Sequence, residues 1–129
     1  MSVYAGIGCR SDASAAEIVA AIDAALAAHA LECSSVAAIA TSYAKAAQPA
    51  VTTAGRTLGM VIIALDDGKL KGADAKTLTR SQRSLDRTGV SSLSEAAALA
   101  AAGSGSRLLG PRIAVGPVTC ALAIEGAAS

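Results

Sequence analysis

Two cations stand where a fold could use them on a ligand. Arg10 closes the stretch Ala5-Gly-Ile-Gly-Cys-Arg10, and Ser14-Ala-Ala-Glu17 follows almost at once. This pattern predicts a short apolar strand ending in a glycine turn, with a helix opening beside it. Backbone N–H groups and the guanidinium would then face outward at a helix N-terminus, which suits a ligand bearing carboxylates or phosphates. Lys45 follows a second apolar segment and Lys69 a third. Arg10 and Lys45 have no structural role legible in the sequence, so they are the better candidates for ligand contact. Cys9 beside Arg10 would have a lowered thiol pKa in this setting. With no general base beside it in sequence, it reads as a close-packed small residue first and a nucleophile second. Glu95 and Ser92 are accounted for by helix capping. The only histidine, His29, falls in the last turn of the first helix, where a cation suits the helix dipole.

Other chemistries find little support. Gly6-Ile-Gly8 is a fragment of a dinucleotide fingerprint, but Ser11 stands at its third position and Thr41 where the acidic residue belongs. No phosphate-binding G-x-x-x-x-G-K-[ST] occurs. Cys9, Cys33 and Cys120 have no paired spacing, so neither a disulfide framework nor a metal site is expected, and no cofactor is assigned. Asp66-Asp67-Gly68 reads as a turn rather than a metal pair. The chain has two Tyr and no Phe or Trp, which removes the stacking faces that single-stranded nucleic acid needs. A formal net charge of +1 provides no global field for nucleic acid or membrane. From Lys69 to Arg87 six basic residues stand against Asp74 and Asp86, a run read as solvated surface before a polyanion rim. No secretory leader and no apolar stretch of about 18 residues is visible. The expectation is a soluble cytoplasmic protein.

The elements that would position these groups are regular. Val3–Ile7 reads as a strand, and the helix after it as Ala15–Ala30, with Ser14 and Glu17 forming a capping box. Ile18, Ile22, Ala25 and Leu26 form its apolar stripe. Ser35–Thr41 reads as a second strand and Ser42–Ala47 as one helical turn. Pro49 opens another helix, which ends at Gly59. Met60–Leu65 is a continuously apolar strand, as expected for one covered on both faces. Asp74 and Ser81 are candidate caps for two short helices, near Ala75–Leu78 and up to Gly89. Ser92-Leu-Ser-Glu95 reads as a second capping box, opening an alanine-rich helix to Gly103. Leu108–Val115 and Val118–Ile124 read as a hairpin about Gly116-Pro117.

Strands alternating with helices imply parallel pairing of the first three. The hairpin makes the sheet mixed. At 129 residues the expectation is a single three-layer α/β domain, residues 1–129, with a mixed sheet of about five strands. Apolar residues make up 53% of the chain, mostly through alanine, so close approach between elements should be common. In open α/β sheets ligands bind beyond the carboxyl ends of the parallel strands. The loops Gly6–Asp12, Thr41–Lys45 and Asp66–Gly72 belong there, joined by the N-terminus of the Ser92 helix.

In this order, these pieces resemble the CobE / CbiG C-terminal domain family of cobalamin biosynthesis. The resemblance is carried by Gly6-Ile-Gly-Cys-Arg10, Ala40-Thr41 with Lys45, Thr79, Ser81 and Gly89. Ser91-Ser-Leu-Ser-Glu-Ala-Ala-Ala-Leu99 and Val118-Thr-Cys-Ala-Leu-Ala123 complete it. It covers nearly the whole chain and implies a role in making the corrin ring. Full-length CbiG is associated with opening a cobalt-precorrin lactone, whereas a chain with this domain alone is similar to CobE of the aerobic, late-cobalt branch. The resemblance implies ligand-facing positions at Gly8, Cys9, Arg10, Thr41 and Lys45. It adds Ser91, Ser92 and Glu95. Two departures are visible: Gln48 stands where the family often has Glu, and Arg112 where it often has Lys, which keeps the charge and adds bidentate capacity.

Three functions follow for testing. The first is a module that binds a carboxylate-rich precorrin or corrin intermediate, with other enzymes of corrin (tetrapyrrole) metabolism as further partners. The second is a precorrin hydrolase or isomerase using Glu95 or Cys9, although Gln48 removes one candidate acid. The third is a nucleotide-binding subunit.

Overall fold

The computed structural model describes residues 2–126, with Arg87 described by its backbone alone. Its side chain, part of the basic run, lies outside the described residues. The order is β1 (Val3–Cys9), α1 (Ala15–Ala28), β2 (Val36–Ser42), α2 (Tyr43–Ala46), α3 (Pro49–Leu58), β3 (Val61–Leu65), α4 (Asp67–Ala73), α5 (Gln82–Thr88), α6 (Leu93–Ala102), β4 (Arg107–Leu108), β5 (Ile113–Val115) and β6 (Val118–Ile124). These strands make one six-stranded sheet in the order β3-β2-β1-β6-β4, with β5 also paired to β6. β1, β2 and β3 are parallel, and β6 runs antiparallel to β1 over seven residue pairs. The fold is the expected three-layer α/β domain with a mixed sheet. Among the described residues, no helix is long and apolar enough to cross a membrane.

Alternation along the central strands divides the core. Val3, Ala5, Ile7 and Cys9 of β1, with Val118, Cys120 and Leu122 of β6, pack against Ile18, Ile22 and Leu26 of α1 and Val51 of α3. The opposite face is built from very small residues. Ala40 packs with Leu93, Ala96 and Ala97 of α6, and Ala123 with Ala98 and Leu99. Gly6 lies at the centre of that face. A Cβ there would overlap the Ser94 carbonyl oxygen and lie 2.6 Å from the Ala98 nitrogen. The alanine excess thus has a physical use, since α6 lies almost directly on the sheet.

Several expectations need correction. Gly6-Ile-Gly8 forms no turn: β1 runs on to Cys9, with Gly6, Ile7 and Gly8 paired to Ala121, Cys120 and Thr119. The glycines serve close approach to α6 rather than a sharp bend. α1 stops at Ala28, with His29 as its C-cap and Ala30 at φ 53°. β3 is an edge strand with Val61 66% exposed, although Ile62 and Ile63 pack partly to opposite faces. A continuous apolar run does not reveal whether a neighbouring strand covers its edge.

Asp66 is not in a simple turn. Its carboxylate accepts from the Lys69 N–H at 2.8 Å and caps α4, which Leu70 anchors in the core despite Gly68 and Gly72. Asp74 sits inside a 3-10 turn, Asp74–Lys76, instead of capping it. The expected strand Leu108–Val115 is split in two. Pro111 has no N–H to give a ladder, so the chain leaves β6 after Leu109, whose N–H donates to the Leu122 carbonyl. It returns at Ile113, which raises the strand count from about five to six.

Candidate functional site

Beyond the C-terminal ends of β1 and β2 lies an open cleft of about 300 Å³. β1 brings Gly8 and Cys9 to its wall, and Arg10 follows directly. The Arg10 N–H donates to the Pro117 carbonyl at 3.1 Å, which ties it to the β5–β6 turn. α2 presents Lys45. Ser42 caps this short helix, its hydroxyl accepting from the Lys45 N–H at 3.2 Å. α5 contributes Arg83, Ser84 and Thr88, its N-cap contributes Ser81, and the segment before β5 contributes Arg112. Leu93, the first residue of α6, and Pro117 supply apolar surface.

Among the described residues four cations therefore line one cleft: Arg10, Lys45, Arg83 and Arg112. They arrive from four separate segments, and no Asp or Glu shares the lining. Among the described residues the one ion pair is Arg80–Asp74, outside the cleft lining. The charges in the lining are thus all positive, the condition under which a cleft concentrates anions; the Glu17 carboxylate lies outside the lining, next to Gly116.

Cys9 is buried, and burial raises its thiol pKa above the ordinary value, with Lys45 opposing in part. The expected lowering does not occur because desolvation of the thiolate outweighs the nearby charge. The thiol also donates to Gln48 Oε1 at 3.5 Å. No histidine lines the cleft. This chemistry suits holding an anion better than attacking an electrophile.

Of the positions expected to face a ligand, Gly8, Cys9, Arg10 and Lys45 line the cleft; Thr41, Ser91, Ser92 and Glu95 do not. The latter four are buried and committed to the protein itself. The Thr41 hydroxyl donates to the Ile7 carbonyl at 2.8 Å and joins β2 to β1. The Ser91 N–H donates to Asp74 Oδ1 at 2.7 Å, and its carbonyl accepts from the Ser81 N–H. Ser92 caps α6, accepting from the Glu95 N–H at 3.5 Å. The Glu95 carboxylate does not complete the expected capping box. It accepts instead from the Leu78 and Thr79 N–H groups, the Thr79 hydroxyl and the Arg112 N–H.

The N-terminus of α1 does not join the lining either, and Lys69 faces a separate hollow beside α6. Arg83 was hidden in the basic run; Arg112 carried a signal as a retained charge ahead of the last hairpin. Thr119, whose hydroxyl donates to the Gly8 carbonyl at 3.3 Å, gave none.

Comparison with known proteins agrees with this architecture. The family model described as cobalamin synthesis G C-terminus matches residues 3–123. The chain belongs to that family. The CbiG C-terminal fold recurs in a crystal structure of CobE, described as a protein from the cobalamin (vitamin B12) biosynthetic pathway. CobE is 32% identical, with a TM-score of 0.88 over 95% of this chain and 89% of that one. A cobalamin biosynthesis protein, chiG, from Agrobacterium tumefaciens str. C58 is 42% identical, with a TM-score of 0.77 over 97% and 99% of the two chains. A cobalamin biosynthesis protein G homologue from Sulfolobus solfataricus shares the fold at 22% identity and a TM-score of 0.73, this chain matching 36% of it. No curated protein matches the chain. As a CbiG C-terminal family member, the chain is involved in cobalamin biosynthesis.

Proposed function

We propose that the protein binds a precorrin or corrin intermediate through the cationic cleft. Such a ring is edged with acetate and propionate carboxylates around an apolar macrocycle. Recognising it takes several spaced donors beside apolar surface. The observation that carries the reading is the convergence of Arg10, Lys45, Arg83 and Arg112 on one cleft whose lining holds no acidic residue. Leu93 and Pro117 provide the apolar contact. A binding role is favoured over hydrolysis of the same substrate. Among the described residues the lining has no carboxylate or histidine to act as a base, and burial pushes the pKa of its thiol up, away from the nucleophilic thiolate.

Titration with a coloured corrin intermediate tests this directly. The expected result is a shift in the visible absorption bands, with ligand of unchanged mass recovered afterwards. Arg10→Ala and Lys45→Ala should each weaken binding by about 1.5–3 kcal/mol, the range for charge-assisted hydrogen bonds. That corresponds to about tenfold to a hundredfold in Kd. Recovery of a ligand of altered mass would show catalysis. Full affinity in both variants would remove the cleft from recognition.

A further inference from the structure

Glu95 is buried at 0% exposure in the third position of α6, and among the described residues no cation forms an ion pair with it. Burying a carboxylate is expensive unless its lone pairs are filled. Here they are filled in pairs. Oε1 accepts from the N–H groups of Leu78 and Thr79, both at 2.8 Å. Oε2 accepts from the Thr79 hydroxyl at 2.7 Å and from the Arg112 N–H at 2.8 Å.

Neither of the two residue stretches so held belongs to a helix or strand. Leu78 and Thr79 lie between the 3-10 turn and α5, and Arg112 lies where Pro111 has taken the chain off the sheet. Each leads into the cleft. Two residues after Thr79, Ser81 caps α5 and joins the lining, and Arg112 itself lines it.

We infer that Glu95 is a positioning residue for the cleft: without lining it, its carboxylate clamps Arg112 and the approach to α5, which share the lining with Arg10 and Lys45. This rests on the reading that the cleft takes a carboxylate-rich ligand. The acid is needed because all four partners donate. Glutamine retains one oxygen that can take two donors. With that oxygen on Leu78 and Thr79, its NH₂ faces the Arg112 N–H, which it cannot accept. The Thr79 hydroxyl can rotate to accept from the NH₂, but the Arg112 amide cannot. Glu95→Gln should therefore release Arg112 selectively.

The test uses uroporphyrin, a tetrapyrrole with eight carboxylates, titrated by absorbance at several salt concentrations. Glu95→Gln should bind at least tenfold more weakly than the unaltered protein, with a shallower salt dependence, as expected when one cation leaves the contact. In an Arg112→Ala background the same change should cost less than twofold, because the group it positions is already gone. An affinity within twofold of the unaltered protein overturns the inference, as does an equal loss in both backgrounds. Failure of the unaltered protein to bind uroporphyrin overturns the cleft reading itself, and the inference falls with it. Should Glu95→Gln not fold, amide exchange in the unaltered protein decides. The Arg112 N–H should exchange as slowly as amides of α6, and exchange as fast as the 103–105 loop would refute the clamp.

Discussion

Placing one methyl group at position 6 tests how the fold holds the cleft. In Gly6→Ala the new Cβ would overlap the Ser94 carbonyl oxygen and lie 2.6 Å from the Ala98 nitrogen and 2.9 Å from the Ala98 Cβ. Two of these three obstacles are backbone atoms of α6, so no side-chain rotation relieves them. Position 6 is equally confined within the sheet, paired to Ala40 on one side and Ala121 on the other. α6 must therefore lift. Overpacking a core costs about 1–3 kcal/mol when side chains can adjust. With backbone in the way the cost should reach the top of that range, about 3 kcal/mol. Against a domain stability of about 5–15 kcal/mol this is a large fraction. It corresponds to a fall in Tm of about 10 °C for a chain of this size. Because α6 carries Leu93 and Glu95, the variant should also bind uroporphyrin less tightly at temperatures where it remains folded. Urea and thermal unfolding followed by circular dichroism measure the first effect. Gly72→Ala is the control. Its added Cβ meets nothing within 4 Å, and it lies in the last turn of α4. It should be neutral or stabilising by up to about 0.5–1 kcal/mol. A Gly6→Ala protein melting within about 2 °C of its parent would refute the claim that the α6–sheet contact is closed to a single methyl.

Two further outcomes follow from the thiols. Burial pushes the Cys120 thiol from 9.0 up to about 12. Its contribution is therefore fully present below pH 9 and is lost as pH rises towards 12, at about 1.4 kcal/mol per pH unit. Between pH 8 and 10.5 the urea stability of Cys120→Ala should fall by about 1–2 kcal/mol less than that of the parent, and parallel losses would contradict the assignment. At Cys9 the Lys45 charge partly offsets the upward push of burial. Lys45→Met should move the pH midpoint of Cys9 alkylation, followed by peptide mass mapping, further upward; an unchanged or lower midpoint would show that Lys45 does not act on the thiol.

Local signals in the chain predicted local structure well. Ser14 and Glu17 form the reciprocal cap expected of them, Pro49 opens α3, and Gly59 and Gly89 end helices in the left-handed region. Each of these depends on atoms within about four residues. α4 was missed because Asp66-Asp67-Gly68 and Gly72 disfavour a helix in isolation, while burial of Leu70 supports one in the fold. Arg10 and Lys45 were legible as site residues through the topology rule for strand ends, Arg112 only as a charge retained in the family resemblance, and Arg83 not at all. The segments that carry these last two are fixed by a distant group, the Glu95 carboxylate of α6, which holds Arg112 and the stretch leading into α5.

Glu95 shows most sharply what belongs to each level. Its spacing from Ser92 specified a helix start, and that start is where α6 begins. The amino-acid order also determined the parallel β1–β3 core, because alternating strands and helices have few other ways to cover a sheet. What the Glu95 carboxylate binds was decided by tertiary structure alone: its four donors come from residues 16 and 17 positions away in both directions along the chain. A capping motif records the competition for a carboxylate among near neighbours. It carries no information about distant amides that lose their water when the chain folds over them, and those amides outcompete the local Ser92 N–H here.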